Sequence, residues 1–200
     1  EGIEYLEEHC TGISVEMRKW LEDIINNSGT YKLSPEQRRI ADKISEVVDK
    51  SVLDKKRYTV IVQGGPGTGK SVIAIKSLFE NYRKENVKGR CLYLSKNAAP
   101  RSVFMRSVEK MKKAYLLKNV MNDSGFYARE ATVNSILTVV DESQRVAEST
   151  SGKDANGQWK VFSDENQIDN IVEHANVSVF FIDEDQTVSL ADAGTIERIK

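Results

Sequence analysis

Residues 64–71 read Gly64-Gly65-Pro66-Gly67-Thr68-Gly69-Lys70-Ser71 and fit the spacing G-x-x-x-x-G-K-[ST] in full. Glycines lack a Cβ and reach positive φ, so a loop built on four of them can turn successive backbone N–H groups inward around an anion. In this pattern Lys70 reaches the β- and γ-phosphates of a nucleoside triphosphate, and the Ser71 hydroxyl holds Mg2+. The flanks agree with the loop. Residues 58–62, Tyr-Thr-Val-Ile-Val, are β-branched and apolar, as a buried parallel strand is. Residues 71–79 read as a helix whose N-terminus points at the phosphates. The stretch therefore sets both the fold class, an α/β sheet, and the ligand class.

Outward from the loop, strands alternate with helices, which implies a parallel sheet covered on both faces. Ser34-Pro35-Glu36-Gln37 starts a helix, with Ser34 as N-cap, Pro35 at the first helical position and Gln37 as capping-box partner; it is predicted to run to residue 52. Residues 90–94 read as a second strand, 131–133 as a third, and 136–146 as a helix. A further helix is expected over about 100–117. Residues 150–157 read as a loop, 157–162 as a small strand, and a helix is expected from Asp164 with Gln167 at N3. Residues 177–182 form a buried strand, and 190–200 a helix. Residues 1–29 are set apart as a helical appendage by the loop Asn26-Asn27-Ser28-Gly29, leaving 30–200 as the nucleotide-binding domain.

The chain has 200 residues, 40% hydrophobic and 30% charged, with a net charge of −1. That balance permits a real core and argues against a generally basic nucleic-acid coat, though not against a local basic groove. No apolar run reaches membrane-spanning length and no signal peptide opens the sequence, so no membrane partner and a cytoplasmic location are expected. Cys10 and Cys91 have no metal-ligand spacing with His9 or His174, and Cys91 reads as an inert core thiol.

The second half of the site is read at the end of the strand 177–182, in Asp183-Glu184-Asp185-Gln186. Acidic residues there lie where ligands bind in open α/β sheets. Asp183 is expected to bind Mg2+ opposite Ser71, Glu184 to polarise the attacking water, and Gln186 to sense the γ-phosphate. Together these residues resemble the first RecA-like domain of superfamily 1 helicases and translocases. Within that group they are most similar to bacterial proteins related to the Schlafen-type helicase domain. Three weaker elements add to the resemblance. Leu33–Gln37 is similar to an adenine-reading glutamine motif, placing Gln37 on ATP. Residues 94–101, with Lys96, Asn97 and Arg101, fall where such proteins contact a nucleic-acid backbone. Residues 131–137 resemble a Thr-x-His-Ser-Phe element, with Asn134 in place of His. Two of them have a plainer account: Gln37 as a helix cap, and Lys96, Asn97 and Arg101 as a solvated loop and helix start. Trp159 and Phe162 either stack bases or, the preferred reading, anchor their loop on the core.

The resemblance implies an ATP- and Mg2+-dependent ATPase acting with single-stranded DNA or RNA, completed by a downstream second RecA-like domain that supplies an arginine finger. The 200 residues are expected to be an incomplete domain that turns over ATP poorly alone. It also implies one strand between the phosphate-loop strand and the acidic strand, and no segment reads as that strand. An open gap, strand exchange or a substitute element is therefore expected. An ATP-operated switch without translocation is the alternative function. A small-molecule kinase is disfavoured, because Glu184 and Gln186 suit water rather than an acceptor substrate.

Overall fold

The computed structural model describes residues 23–24, 29, 32–87, 90–96, 120–154, 156–186 and 193–200, and only the backbone of Glu184. The helix expected over 100–117, and most of the N-terminal appendage, lie outside the described residues.

Helix α1 (Pro35–Asp54) begins as its sequence dictates. The Gln37 N–H donates to Ser34 Oγ (3.2 Å) and the Ser34 N–H to Gln37 Oε1 (3.0 Å), so two otherwise unpaired backbone donors are satisfied reciprocally. It ends at Lys55, whose left-handed backbone (φ 57°) lets its N–H return to Ser51 O. Strand β1 (Tyr58–Gln63) leads into the loop, and α2 (Lys70–Tyr82) leaves it. Strands β2 (Cys91–Ser95), β3 (Met121–Asn122), β4 (Ser135–Asp141) and β7 (Ala175–Ile182) complete a sheet of order β1-β7-β4-β2-β3, parallel throughout. The short helix α3 (Phe126–Arg129) follows β3. Between β4 and β7 come a 3-10 turn (Ser143–Arg145), the antiparallel hairpin of β5 (Thr150–Lys153) and β6 (Trp159–Ser163), and helix α4 (Gln167–His174). The chain closes with α5 (Ile196–Ile199). The α/β class, a parallel sheet flanked by helices and compatible with a RecA-like domain, is as the sequence implies.

Strand β7 shows why both faces must be covered. Val177, Val179 and Phe181 point into one cluster with Ala41, Ile44 and Val48 of α1 and Ile73, Ala74 and Leu78 of α2. Phe180 and Ile182 point into another, with Tyr127 of α3, Ile168 and Ile171 of α4, and Ile199 of α5. All five strand residues are fully buried. A strand buried on both faces reads as a continuous apolar run rather than an alternation.

That same rule corrects the sequence reading of 131–146. Residues 131–133 form a turn, and 135–141 are a strand, not the start of a helix. The spacing of Ile136, Leu137, Val139 and Val140 mimics a helical face, but every residue of β4 is buried, and periodicity cannot separate such a strand from a buried helix. Three smaller differences follow. Residues 150–153 are a strand of the hairpin rather than loop. Helix α4 starts at Gln167, because Asn166 Oδ1 accepts from Ile168 N (2.8 Å) and makes Asn166 the cap. Of the helix expected over 190–200, the described part is confined to Ile196–Ile199, capped by Thr195.

Of the open gap, strand exchange or substitute element expected between β1 and the strand 177–182, none is needed: the two strands pair directly, with β1 at the edge of the sheet. β1 pairs with β7 along its whole length, from Tyr58↔Val177 to Gln63↔Ile182. This pairing satisfies backbone groups that a gap would leave open. Among the described residues no helix is long and apolar enough to cross a membrane.

Truncating Phe181 to Ala removes a side chain packed between the middle of the sheet and α1. The expected cost is about 3–5 kcal/mol, read from the urea midpoint at unchanged m-value. Trp159→Ala, at a side chain 75% exposed, should move stability by no more than about 0.5 kcal/mol.

Candidate functional site

The loop 64–69 sits at the C-terminal end of β1, tied to the neighbouring strand by the Gly64 N–H donating to Ile182 O (3.2 Å). Gly67 (φ 73°) and Gly69 (φ 83°) take the left-handed backbone that the sequence reserved for glycine. Pro66, Gly67 and Thr68 are exposed at the tip, and Thr68 Oγ1 donates back to Gly65 O (2.8 Å). Gly69 caps α2 with no side-chain bond, so the first-turn N–H groups of a 13-residue helix face the loop with no capping side chain across them. Ser71, in that first turn, is exposed. Lys70 turns inward: Nζ donates to Gly64 O (2.5 Å), Gly65 O (2.7 Å) and Asp183 Oδ2 (3.1 Å).

Gln37 braces this loop from the outside. Besides its capping bond, its Nε2 donates to Thr68 O (3.2 Å), and a Cβ placed on Gly69 would run into that same nitrogen. The helix start beside it borders a cleft of about 480 Å³ lined by Lys32, Leu33, Pro35, Arg38, Lys76 and Glu80. Arg38 closes part of its wall with a two-pronged bond to Glu80 (2.9 and 3.2 Å).

Two acidic strand ends face the same edge of the sheet. Asp183 follows β7 and is 2% exposed. The 3-10 turn Glu184–Gln186 comes next, with Asp185 and Gln186 exposed. The other acidic end was missed in the sequence reading. Asp141 is the last residue of β4, and Asp141-Glu142-Ser143-Gln144 repeats the D-E-x-Q pattern of 183–186. It was hidden because 136–146 reads as a helix; the signal was the pattern itself, directly after a β-branched run. Asp141 is buried, its Oδ2 accepting from Tyr93 Oη (2.6 Å) and its Oδ1 from the Glu142 N–H (3.0 Å). Glu142 has a left-handed backbone (φ 51°) although it is not glycine, a strain of the kind that gathers at working sites. The two motifs interlock: Ser143 Oγ donates to Phe181 O (2.9 Å), and the Asp183 N–H to Gln144 Oε1 (3.2 Å).

The remaining candidates scatter. Lys96 follows the C-terminal end of β2, whose Ser95 is in register with Asp141, so it lies on the site edge. Asn97 and Arg101 lie outside the described residues. Asn134 immediately precedes β4 and is exposed at the opposite end of the sheet from the loop, so it does not join the site. Trp159 does not anchor its strand, being exposed, while the partly buried Phe162 carries Lys160 Nζ 5.7 Å from its ring centre. Cys91 is buried, and burial pushes its thiol up to about 12, in keeping with an inert core residue.

Residues 57–200 match the family described as Schlafen group 3, DNA/RNA helicase domain. No curated protein and no solved structure matches the chain.

Burial, with the neighbouring Asp141 second, holds the Tyr93 hydroxyl well above its ordinary range. Above about pH 10 the unfolded chain has lost tyrosine protons that the folded chain keeps, so stability should fall with rising pH there. Tyr93→Phe should flatten part of that fall in an alkaline denaturation series. The same change strips Asp141 of a donor and should cost about 1–3 kcal/mol at neutral pH.

Proposed function

The chain belongs to the Schlafen group 3 DNA/RNA helicase domain family, and on that footing we propose that it binds Mg2+–ATP on the loop 64–71 and hydrolyses it under stimulation by single-stranded DNA or RNA. The loop suits a polyphosphate: its glycines hold left-handed turns, the first turn of α2 has no capping side chain, and Lys70 is anchored between two carbonyls. Gln37, bonded to the loop at Thr68 O, suits adenine, since a carboxamide both donates and accepts in one plane.

The observation that carries the assignment of roles is the strand order. A P-loop ATPase with an added catalytic glutamate has one strand between the phosphate-loop strand and the acidic strand, and here β7 lies between β1 and β4. On this reading β7 is the intervening strand, and Asp141 and Glu142 form the acidic pair. Asp141, held by the Tyr93 hydroxyl, takes the metal side with the Ser71 hydroxyl, and Glu142 orients and deprotonates water. Mg2+, when bound, neutralises charge on the transferring phosphoryl group. Gln186, exposed on the turn after β7, reads the γ-phosphate. A second RecA-like domain would close over the nucleotide and bring an arginine. Lys96, which follows β2 at the site edge, would meet a nucleic-acid backbone.

The test compares Glu142→Gln with Glu184→Gln in an ATPase assay, with and without single-stranded DNA or RNA, in a chain that includes the second domain. Glu142→Gln should lower turnover by about 10²–10⁴ while leaving ATP binding intact. Glu184→Gln should keep most of the activity. The reverse ranking would return the catalytic role to the end of β7. Tight ATP binding with turnover that nucleic acid does not change would favour an ATP-operated switch.

A further inference from the structure

If Asp141 and Glu142 form the acidic pair, Asp183 needs another account, and its surroundings supply one. The ammonium of Lys70 has three donors, and all three are used: two on loop carbonyls and the third on Asp183 Oδ2. The pair is sheltered, with the Lys70 side chain 14% exposed and that of Asp183 1%. Asp183 is also fixed from behind, because its N–H donates to Gln144 Oε1 and its carbonyl accepts from the Gln186 N–H (3.1 Å). The carbonyl contacts leave the lysine anchored to its own loop. The carboxylate therefore holds the single donor that can be given up to a ligand without releasing that anchor.

We propose that Asp183 is a positioning residue that competes with the terminal phosphate of a nucleoside triphosphate for the third donor of Lys70, so that the end of β7 reports which nucleotide is bound. Two anions cannot share one ammonium donor at close range without repulsion, and little water reaches this pair to screen it. A γ-phosphate on Lys70 displaces the carboxylate and works against the two backbone bonds that hold Asp183. A diphosphate brings only its β-phosphate to Lys70 and so competes less with Asp183 for that donor. The displacement is passed to both neighbours of Asp183: to Gln186 through the 3-10 turn, and to Gln144 in the turn that carries Glu142. The ion pair thereby lowers apparent triphosphate affinity, and its removal restores that affinity. This inference rests on nucleotide binding at the loop, but not on hydrolysis.

The test is equilibrium binding of a non-hydrolysable ATP analogue and of ADP, each with Mg2+ and with EDTA, to the wild-type chain, Asp183→Asn and Asp183→Ser. Circular dichroism checks the fold, and the serine variant stands in should the asparagine one fold badly. Both variants should bind the ATP analogue about five- to tenfold more tightly, with or without Mg2+, and ADP with a clearly smaller gain. Weaker analogue binding seen only with Mg2+ would overturn the proposal and make Asp183 a metal ligand. An equal change for both nucleotides, or no change, would overturn it as well and leave the ion pair a structural contact. Absence of nucleotide binding by the wild-type chain, matching a Lys70→Ala control, would instead defeat the reading of the loop on which the inference stands.

Discussion

The double pairing of β7 is the constraint on which the rest depends. It is hydrogen-bonded to β1 on one side and to β4 on the other, and its side chains enter both apolar clusters. Because each ladder is parallel and in register, the ends of β1, β7 and β4 arrive at one edge together. The loop, Asp183 and Asp141 are neighbours for that reason, and no side-chain contact is needed to gather them. A one-residue slip of β7 would exchange its two faces and move Asp183 away from Lys70 at once. The chemistry at the edge is therefore held by the backbone pairing in the middle of the sheet.

On that frame, the polar contacts do a narrower task. Ser143 and Gln144 bond the end of β7, and Tyr93 bonds Asp141 from β2, so three adjacent strands share one buried network. Buried polar groups cost free energy unless satisfied, and here each carboxylate and amide named has its partner. The network fixes two acidic ends in different settings. Asp183 faces a cation on the loop; Asp141 faces a hydroxyl and a backbone N–H. Identical D-E-x-Q patterns are thus set in different surroundings by the strands that flank them.

What was legible in the sequence was local. The glycine spacing of the loop, the Ser34–Gln37 capping box and the apolar run of β7 each depend on residues a few positions apart, and each stands in the structure as read. What was not legible was pairing. No feature of residues 135–141 alone shows that both faces are buried, and with that strand taken for a helix its acidic end could not be recognised as a strand end. An extra strand was sought beside β1, whereas the structure pairs β1 with β7 and β7 with β4, a strand order that no single segment displays. The placement of Asn134 was hidden for the same reason, because its position at the far end of the sheet follows from where β4 begins. Trp159 was misjudged because an aromatic on a short strand is more often inward than outward, and which face a two-stranded hairpin presents is a tertiary matter.

The return of the chain after β7 has one further consequence. Ala193 and Gly194 lie against the turn that carries Glu142: the Ala193 N–H donates to Val146 O (2.8 Å) and the Gly194 N–H to Gln144 O (3.3 Å). Gly194 is so close to the Ser143 carbonyl that a Cβ there would collide with it. This is a seam of two backbone bonds with no side chain between its halves. Any side chain added at Gly194 would therefore press directly on the turn that carries the left-handed Glu142.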